Sequence, residues 1–181
     1  FRYKTEPGEA YQMDWGFVKA HMQSGKIEQI ACFAMICHHC GEIFVEFFPN
    51  AKQENLFIGM LHGFRSMYIP ERVVTDNMKS VVIGRAADGS PIWQKDYEQF
   101  MNVFQFQTTL CQPRHPYTKG AVERLVRFVK ENFLPGRVFT DLTDLNRQAS
   151  HWCNQKNNSY RKASDCIPAQ RHTARCIKAA D

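Results

Sequence analysis

Apolar residues form short continuous runs in the first quarter of the chain and a three-and-four rhythm after it. Tyr11 to Val18 reads as a strand with an acid, Asp14, in its middle. A carboxylate inside an apolar strand must be paired, solvated at an edge or bound to metal, because burying a bare charge is costly. Ser24-Gly25-Lys26 is a turn signal. Ile27 to Cys37 then reads as a largely buried strand, and His38-His39-Cys40-Gly41 as a turn. Glu42 to Phe48 supplies a third strand, stopped by Pro49-Asn50. Three strands joined by tight turns predict an antiparallel meander.

The rhythm changes from about Lys52 to Tyr68. Leu56, Phe57, Met60, Leu61, Phe64 and Met67 fall on one face of a helix, with Asn50 as the expected N-cap. Gly59 and Gly63 sit four apart inside it. Each costs roughly 1 kcal/mol relative to Ala, so the pair points to a close approach of helix to sheet. The strand Ile69 to Asn77 follows and ends at Thr75-Asp76-Asn77, where an acid and an amide replace the apolar run. A strand returning after a helix is expected parallel to an earlier one, which gives a mixed α/β plan. Met78 to Pro91 reads as irregular, Trp93 to Phe104 as a helix and Phe106 to Cys111 as a strand. A loop over 112–120 leads into a helix from Ala121 to Leu134, ended by Pro135-Gly136. Another helix spans Asp141 to Asn154, and the polar, basic tail from Gln155 reads as extended or partly ordered.

The 181 residues, 44% hydrophobic and 23% charged, suit one globular domain with its own core. No run approaches 18 apolar residues, so no membrane helix is expected. The first residues lack the apolar core of a signal peptide. The chain begins with Phe1 rather than Met, so it reads as a piece of a longer protein. Seven cysteines, an odd number at irregular spacing, suggest reduced thiols in a cytoplasmic protein. A net charge of +5 permits nucleic-acid binding without requiring it. Its distribution is more pointed: Arg114, Lys119, Arg124, Arg127 and Lys130 lie within 17 residues, opposed only by Glu123.

Three acids then stand out: Asp14, Asp76 and Glu123, separated by 61 and 46 residues. Phosphodiester chemistry needs hard oxygen ligands for Mg²⁺. Two such ions about 3.5–4 Å apart can activate the attacking oxygen and stabilise the leaving one. One bridging and two flanking carboxylates meet that demand, and the longer Glu side chain can reach from a helix to a sheet. Singly, each acid has a plainer reading: edge decoration for Asp14, an Asp-Asn turn for Asp76, a solvated helical acid for Glu123.

Together the motifs resemble the catalytic core of the DDE transposases and retroviral integrases, a branch of the ribonuclease H-like superfamily. Tyr11-Gln12-Met13-Asp14-Trp15-Gly16 resembles the first-strand acid, Val73-Val74-Thr75-Asp76-Asn77 the second and His115-Pro116-Tyr117-Thr118-Lys119-Gly120-Ala121-Val122-Glu123-Arg124 the third. Asp14-Trp15-Gly16 and the long second spacing look most like IstA-type transposases of bacterial insertion sequences. The resemblance implies a ribonuclease H-like five-stranded mixed sheet flanked by helices. It divides the chain into a lead-in over 1–10, an integrase-type core over 11–155 and a basic tail over 156–181 leading to a further C-terminal region. It implies two Mg²⁺ or Mn²⁺ ions on Asp14, Asp76 and Glu123, cleavage at mobile-element ends and transfer of the freed 3′-OH to target DNA. Lys119, Arg124, Arg127, Lys130 and Arg114 would then hold phosphates, although a solvated basic face is the plain alternative. Expected partners are double-stranded DNA, further copies of the chain in the DNA complex and an ATPase helper, in the bacterial cytoplasm at the nucleoid. The rivals are a nuclease of the same fold that does not join strands, and a non-catalytic DNA-binding or assembly module.

Four features keep plainer readings. Cys37-His38-His39-Cys40 has zinc-like spacing, but structural zinc takes four ligands, usually as two pairs, and no second pair is evident, so it reads as a turn with buried thiols. Trp15 reads as core, His115 as loop structure, and Asn77 as either a turn residue or a hydrogen-bonding group near the scissile phosphate.

Overall fold

The computed structural model describes residues 9–111, 120–162 and 165–172. Strands β1 (Ala10–His21), β2 (Ile27–Cys37) and β3 (Ile43–Phe48) form the antiparallel meander. Helix α1 (Gln53–Met67) leads into β4 (Arg72–Thr75), which lies parallel to β1. The segment 78–91, expected to be irregular, holds β5 (Val82–Arg85), which pairs antiparallel with β6 (Pro91–Trp93) as a separate ribbon. Trp93 therefore belongs to that ribbon, and α2 starts later, at Lys95, and ends at Phe104. Strand β7 (Gln107–Leu110) pairs parallel with β4. The central sheet has the order β3-β2-β1-β4-β7, the mixed five-stranded sheet that was expected.

Two apolar layers cover the sheet. On one side, Tyr11 and Met13 of β1 join Phe33 and Met35 of β2 and the buried faces of α1 and α2. Helix α1 comes close because of its glycines. A Cβ on Gly59 would stand 2.8 Å from Phe33 Cδ1, and one on Gly63 3.0 Å from Met35 Sδ. Its N-cap is Lys52, without a side-chain bond, rather than Asn50. Asn50 instead accepts from the Lys52 N–H and the Asn55 side chain, bracing the approach to the helix.

On the other side, Val18 and Ala20 of β1, with Met22 just beyond it, join Cys32 and Ala34 of β2 against α3 (Gly120–Phe128) and α4 (Leu142–Asn157). The expected helix over 121–134 changes winding midway. Val129–Phe133 is π-helical, with the Leu134 N–H bonded to the Val129 carbonyl, and Val129 and Phe133 both stay buried. Helix α4 is capped by Asp141, whose carboxylate accepts from the Asp144 N–H at 2.7 Å. It runs to Asn157, and residues 166–172, with the short helix α5 (Pro168–Arg171), return to the core, where His172 is buried. The part of the tail described is thus docked, not extended. No helix among the described residues is long and apolar enough to cross a membrane.

Strand β3 is the sheet edge, and α4 closes it with two amides. Asn157 accepts from the Ile43 N–H at 2.8 Å and donates to the Ile43 carbonyl at 2.9 Å. Asn146 does the same at Phe47, at 2.7 and 2.9 Å. Each side chain mimics the missing neighbouring strand, which leaves little edge for another chain to pair with. Asn157 is buried, so Asn157→Ala strands a peptide group and should cost about 1–3 kcal/mol. Urea denaturation checks the loss, and a cost below about 0.5 kcal/mol, the range of ordinary surface substitutions, would remove the edge-closing role.

Candidate active site

The parallel register of β1 and β4 places the first two acids. Ala10 lies beside Arg72, Tyr11 beside Val73 and Gln12 beside Val74. Asp14 and Asp76 each lie two residues past the last pair; Asp14 is still within β1, whereas the chain has just left β4 at Asp76. Asp76 is the first residue beyond β4, and both acids are half-buried. The strand end is pinned: the Cys111 N–H donates to the Thr75 carbonyl at 2.8 Å, and Asn77 Nδ2 donates to the Cys111 carbonyl at 3.2 Å. Asn77 therefore serves as a brace between β4 and β7. Asp14 Oδ1 accepts from the Trp15 N–H at 2.9 Å. Trp15 points to the opposite face, edge-on to Phe33 and Phe48, and belongs to the core as expected.

Helix α3 brings the third acid. Gln12, Asp14 and Gly16 share one face of β1 by strand alternation. The Val122 N–H donates to Gln12 Oε1 at 3.0 Å, occupying one of the donors that a helix start leaves without an intrahelical partner. At Gly16 a Cβ would stand 2.5 Å from Val126 Cγ1, closer than packed atoms come. The helix thus touches the strand at two points one turn apart, over Gln12 and over Gly16. Glu123 lies between those points on the helix, as Asp14 does on the strand. Its side chain is exposed.

The donors on this face are oxygens. Cys32 shares it, but burial, aided by the charges of Cys153 and Asp14 and opposed by Lys130, pushes its thiol far above the usual range, so it stays protonated. Asp14, Asp76 and Glu123 offer oxygen ligands, the type a hard divalent cation takes.

The other expected contacts divide. Arg124, Arg127 and Lys130 are exposed on α3 and its π-helical continuation. The single α-helical face expected from Glu123 to Lys130 is interrupted after Phe128, where the winding changes. Arg124 lines a groove of about 610 Å³ with Phe128, Lys156, Tyr160, Arg161 and Lys162. The last three cations escaped the sequence reading because they fall in the tail; their interleaving with Tyr160 was the available signal. Arg114, His115 and Lys119 lie outside the described residues.

Comparison with known proteins gives a consistent result. No family model matches. The chain is 29% identical over 174 residues to a putative transposase for insertion sequence element IS5376 of Geobacillus stearothermophilus, across 96% of this chain and 43% of that protein. It is 30% identical over 158 residues to a transposase for an IS21-like element of Bacteroides fragilis, across 86% of this chain and 30% of that protein. The chain therefore spans less than half the length of these relatives. Among solved structures, it resembles the HTLV-2 integrase catalytic core domain in complex with magnesium, with a TM-score of 0.67 at 14% identity over 92% of this chain and 97% of the other. It also resembles a chain of a simian T-cell lymphotropic virus intasome, with a TM-score of 0.65 at 14% identity over 94% of this chain and 56% of that one.

The fit of α3 on β1 can be tested without any assay of activity. Gly16→Ala should overpack the contact and cost about 1–3 kcal/mol in denaturant melts. Adding Val126→Ala should return part of that loss, because the two residues share one space. Strictly additive losses would show that Val126 is not what Gly16 accommodates.

Proposed function

We propose that this chain, a catalytic core of the kind shared by insertion-sequence transposases and retroviral integrases, carries the DNA cleavage and strand-transfer chemistry of a transposase. The observation behind this reading is that Asp14 and Asp76 each lie two residues beyond the last pair of the parallel β1–β4 register, while α3, which bears the exposed Glu123, packs on β1. The transposase relatives and the integrase-core fold support it.

Asp14 and Asp76 would be the central ligands for Mg²⁺ or Mn²⁺, and Glu123 would complete the site. Bound there, two such ions would supply an activated oxygen nucleophile and offset charge on the phosphate. The chain's own groups set the geometry. The strand register fixes the two aspartates, Gln12 and Gly16 hold α3 over them, and the exposed Glu123 can orient the nucleophile. Water first opens a phosphodiester at the element end and leaves a 3′-OH. That hydroxyl then forms a new ester with a target phosphate and displaces the target's own 3′ oxygen. Both nucleophiles come from solvent or DNA, so no serine or tyrosine ester is required.

Arg124, Arg127 and Lys130 would track the backbone of the double-stranded DNA, joined by Arg114 and Lys119, which precede α3 in sequence. The groove beside Arg124 extends that basic surface through Lys156, Arg161 and Lys162. The working assembly would be an oligomer on DNA in the bacterial cytoplasm, assisted by an ATPase encoded beside it.

The test uses the full-length protein with labelled element ends and a target plasmid. Joined products that depend on Mg²⁺ or Mn²⁺ are expected. Asp14→Asn, Asp76→Asn and Glu123→Gln should each lower cleavage and joining by more than about 100-fold, the upper end of losses from disturbing a metal's outer partners, while far-UV circular dichroism stays unchanged. Cutting without joining would favour a nuclease, and retained transposition in Asp76→Asn would reduce the chain to a binding module.

A further inference from the structure

The turn His38–Gly41 is joined in space by a residue from the far end of the chain. Cys37, Cys40 and His172 are all buried, and a ligand atom from each lies within 4.8 Å of the other two. The two thiols carry Cys-x2-Cys spacing, and the imidazole arrives from a segment 132 residues beyond Cys40.

Each group is aimed before any ion binds. His172 Nε2 lies 2.6 Å from the Met67 carbonyl. A carbonyl only accepts, so Nε2 carries a proton, which leaves Nδ1 as the nitrogen that can coordinate. That nitrogen faces Cys40 Sγ at 3.2 Å. A tetrahedral zinc with Zn–S of about 2.3 Å and Zn–N of about 2.0–2.1 Å sets those atoms about 3.5 Å apart, so little movement is needed. A carbonyl on the remote nitrogen is the outer partner that metal-bound histidines use to fix their tautomer. The thiol side is prepared as well. Gly41, at φ +81°, turns the chain so that the Glu42 N–H faces Cys40 Sγ at 3.4 Å. A Cβ on Gly41 would lie 3.6 Å from Arg161 Nη1, so a guanidinium flanks the turn.

We infer that Cys37, Cys40 and His172 bind a structural zinc ion that fastens the C-terminal segment to the β2–β3 turn. Two thiols coordinate as thiolates, so binding releases two protons to solvent. Soft sulfur with imidazole selects zinc over the magnesium-type ions suited to the carboxylates. Structural zinc takes four ligands. Cys37, Cys40 and His172 supply three of those four, the histidine arriving from a segment that local spacing around the turn does not reveal. The ion would sit where β1 and β4 begin, with Tyr11 Oη also bonded to the Met67 carbonyl, and the carboxylates lie farther along both strands. Its role is independent of whether the chain transfers DNA strands.

The test is metal analysis of the purified 181-residue chain, prepared under reducing conditions with zinc supplied. About one tightly held zinc per chain is expected, retained through desalting. Cys40→Ser and His172→Ala should lower occupancy at least fivefold, whereas Cys111→Ser should leave it unchanged. Because those variants can also fail to fold, cobalt(II) is titrated into the unaltered apo chain as a second measurement. Thiolate-to-cobalt charge transfer and intense tetrahedral d–d bands, displaced by one equivalent of zinc, are expected. A folded chain without stoichiometric zinc and without those bands would overturn the inference and leave His172 as a buried imidazole paired with Glu42, whose carboxylate stands 3.4 Å from Nδ1.

Discussion

The candidate site depends on how closely α3 can approach β1. Gly16 leaves the space that Val126 occupies, and Gln12 holds the start of the helix one turn earlier. A side chain at position 16 would lift the helix, and Glu123 would move away from the strand bearing Asp14.

The sheet imposes the second constraint. β4 is only four residues long, yet it is held on both sides, by β1 and by β7. A short strand between two parallel neighbours has little freedom to slip, since a one-residue shift would exchange the faces on which Val73 and Val74 are buried. Asp76 follows at once from that fixed end. The acid thus sits on backbone that is locked by register and by the Asn77 bridge, and still reaches solvent.

The edges of the domain are managed by its C-terminal part. Asn146 and Asn157 complete the open hydrogen bonds of β3, and residues 166–172 return beneath the meander to bury His172. The zinc reading gives that return a physical cause. So short a segment buries little apolar surface, and a coordinated ion supplies the binding energy that packing there lacks. The segment that looks like a dispensable tail in composition would then be a structural strap.

Much of this was legible in the chain. The meander, α1, β4 and α4 follow from local runs and from period 3.6 against period 2, and the candidate acids were marked by their places where apolar runs stop or break. The close approach of α1 was readable from Gly59 and Gly63, because a missing Cβ has few other uses inside a helix. Other features were not readable. The β5–β6 ribbon is short, polar and held mainly by pairing, so periodicity does not reveal it. The π-helical stretch keeps Val129 and Phe133 buried, and no local signal in the sequence marks it. The meeting of Cys37 and Cys40 with His172 depends on a contact across 132 residues. Sequence alone determined which residues can bear chemistry and which elements carry them, since both are properties of local pattern. Tertiary structure decided which of them meet, because register, helix approach and the return of the tail are set by packing between segments far apart in the chain.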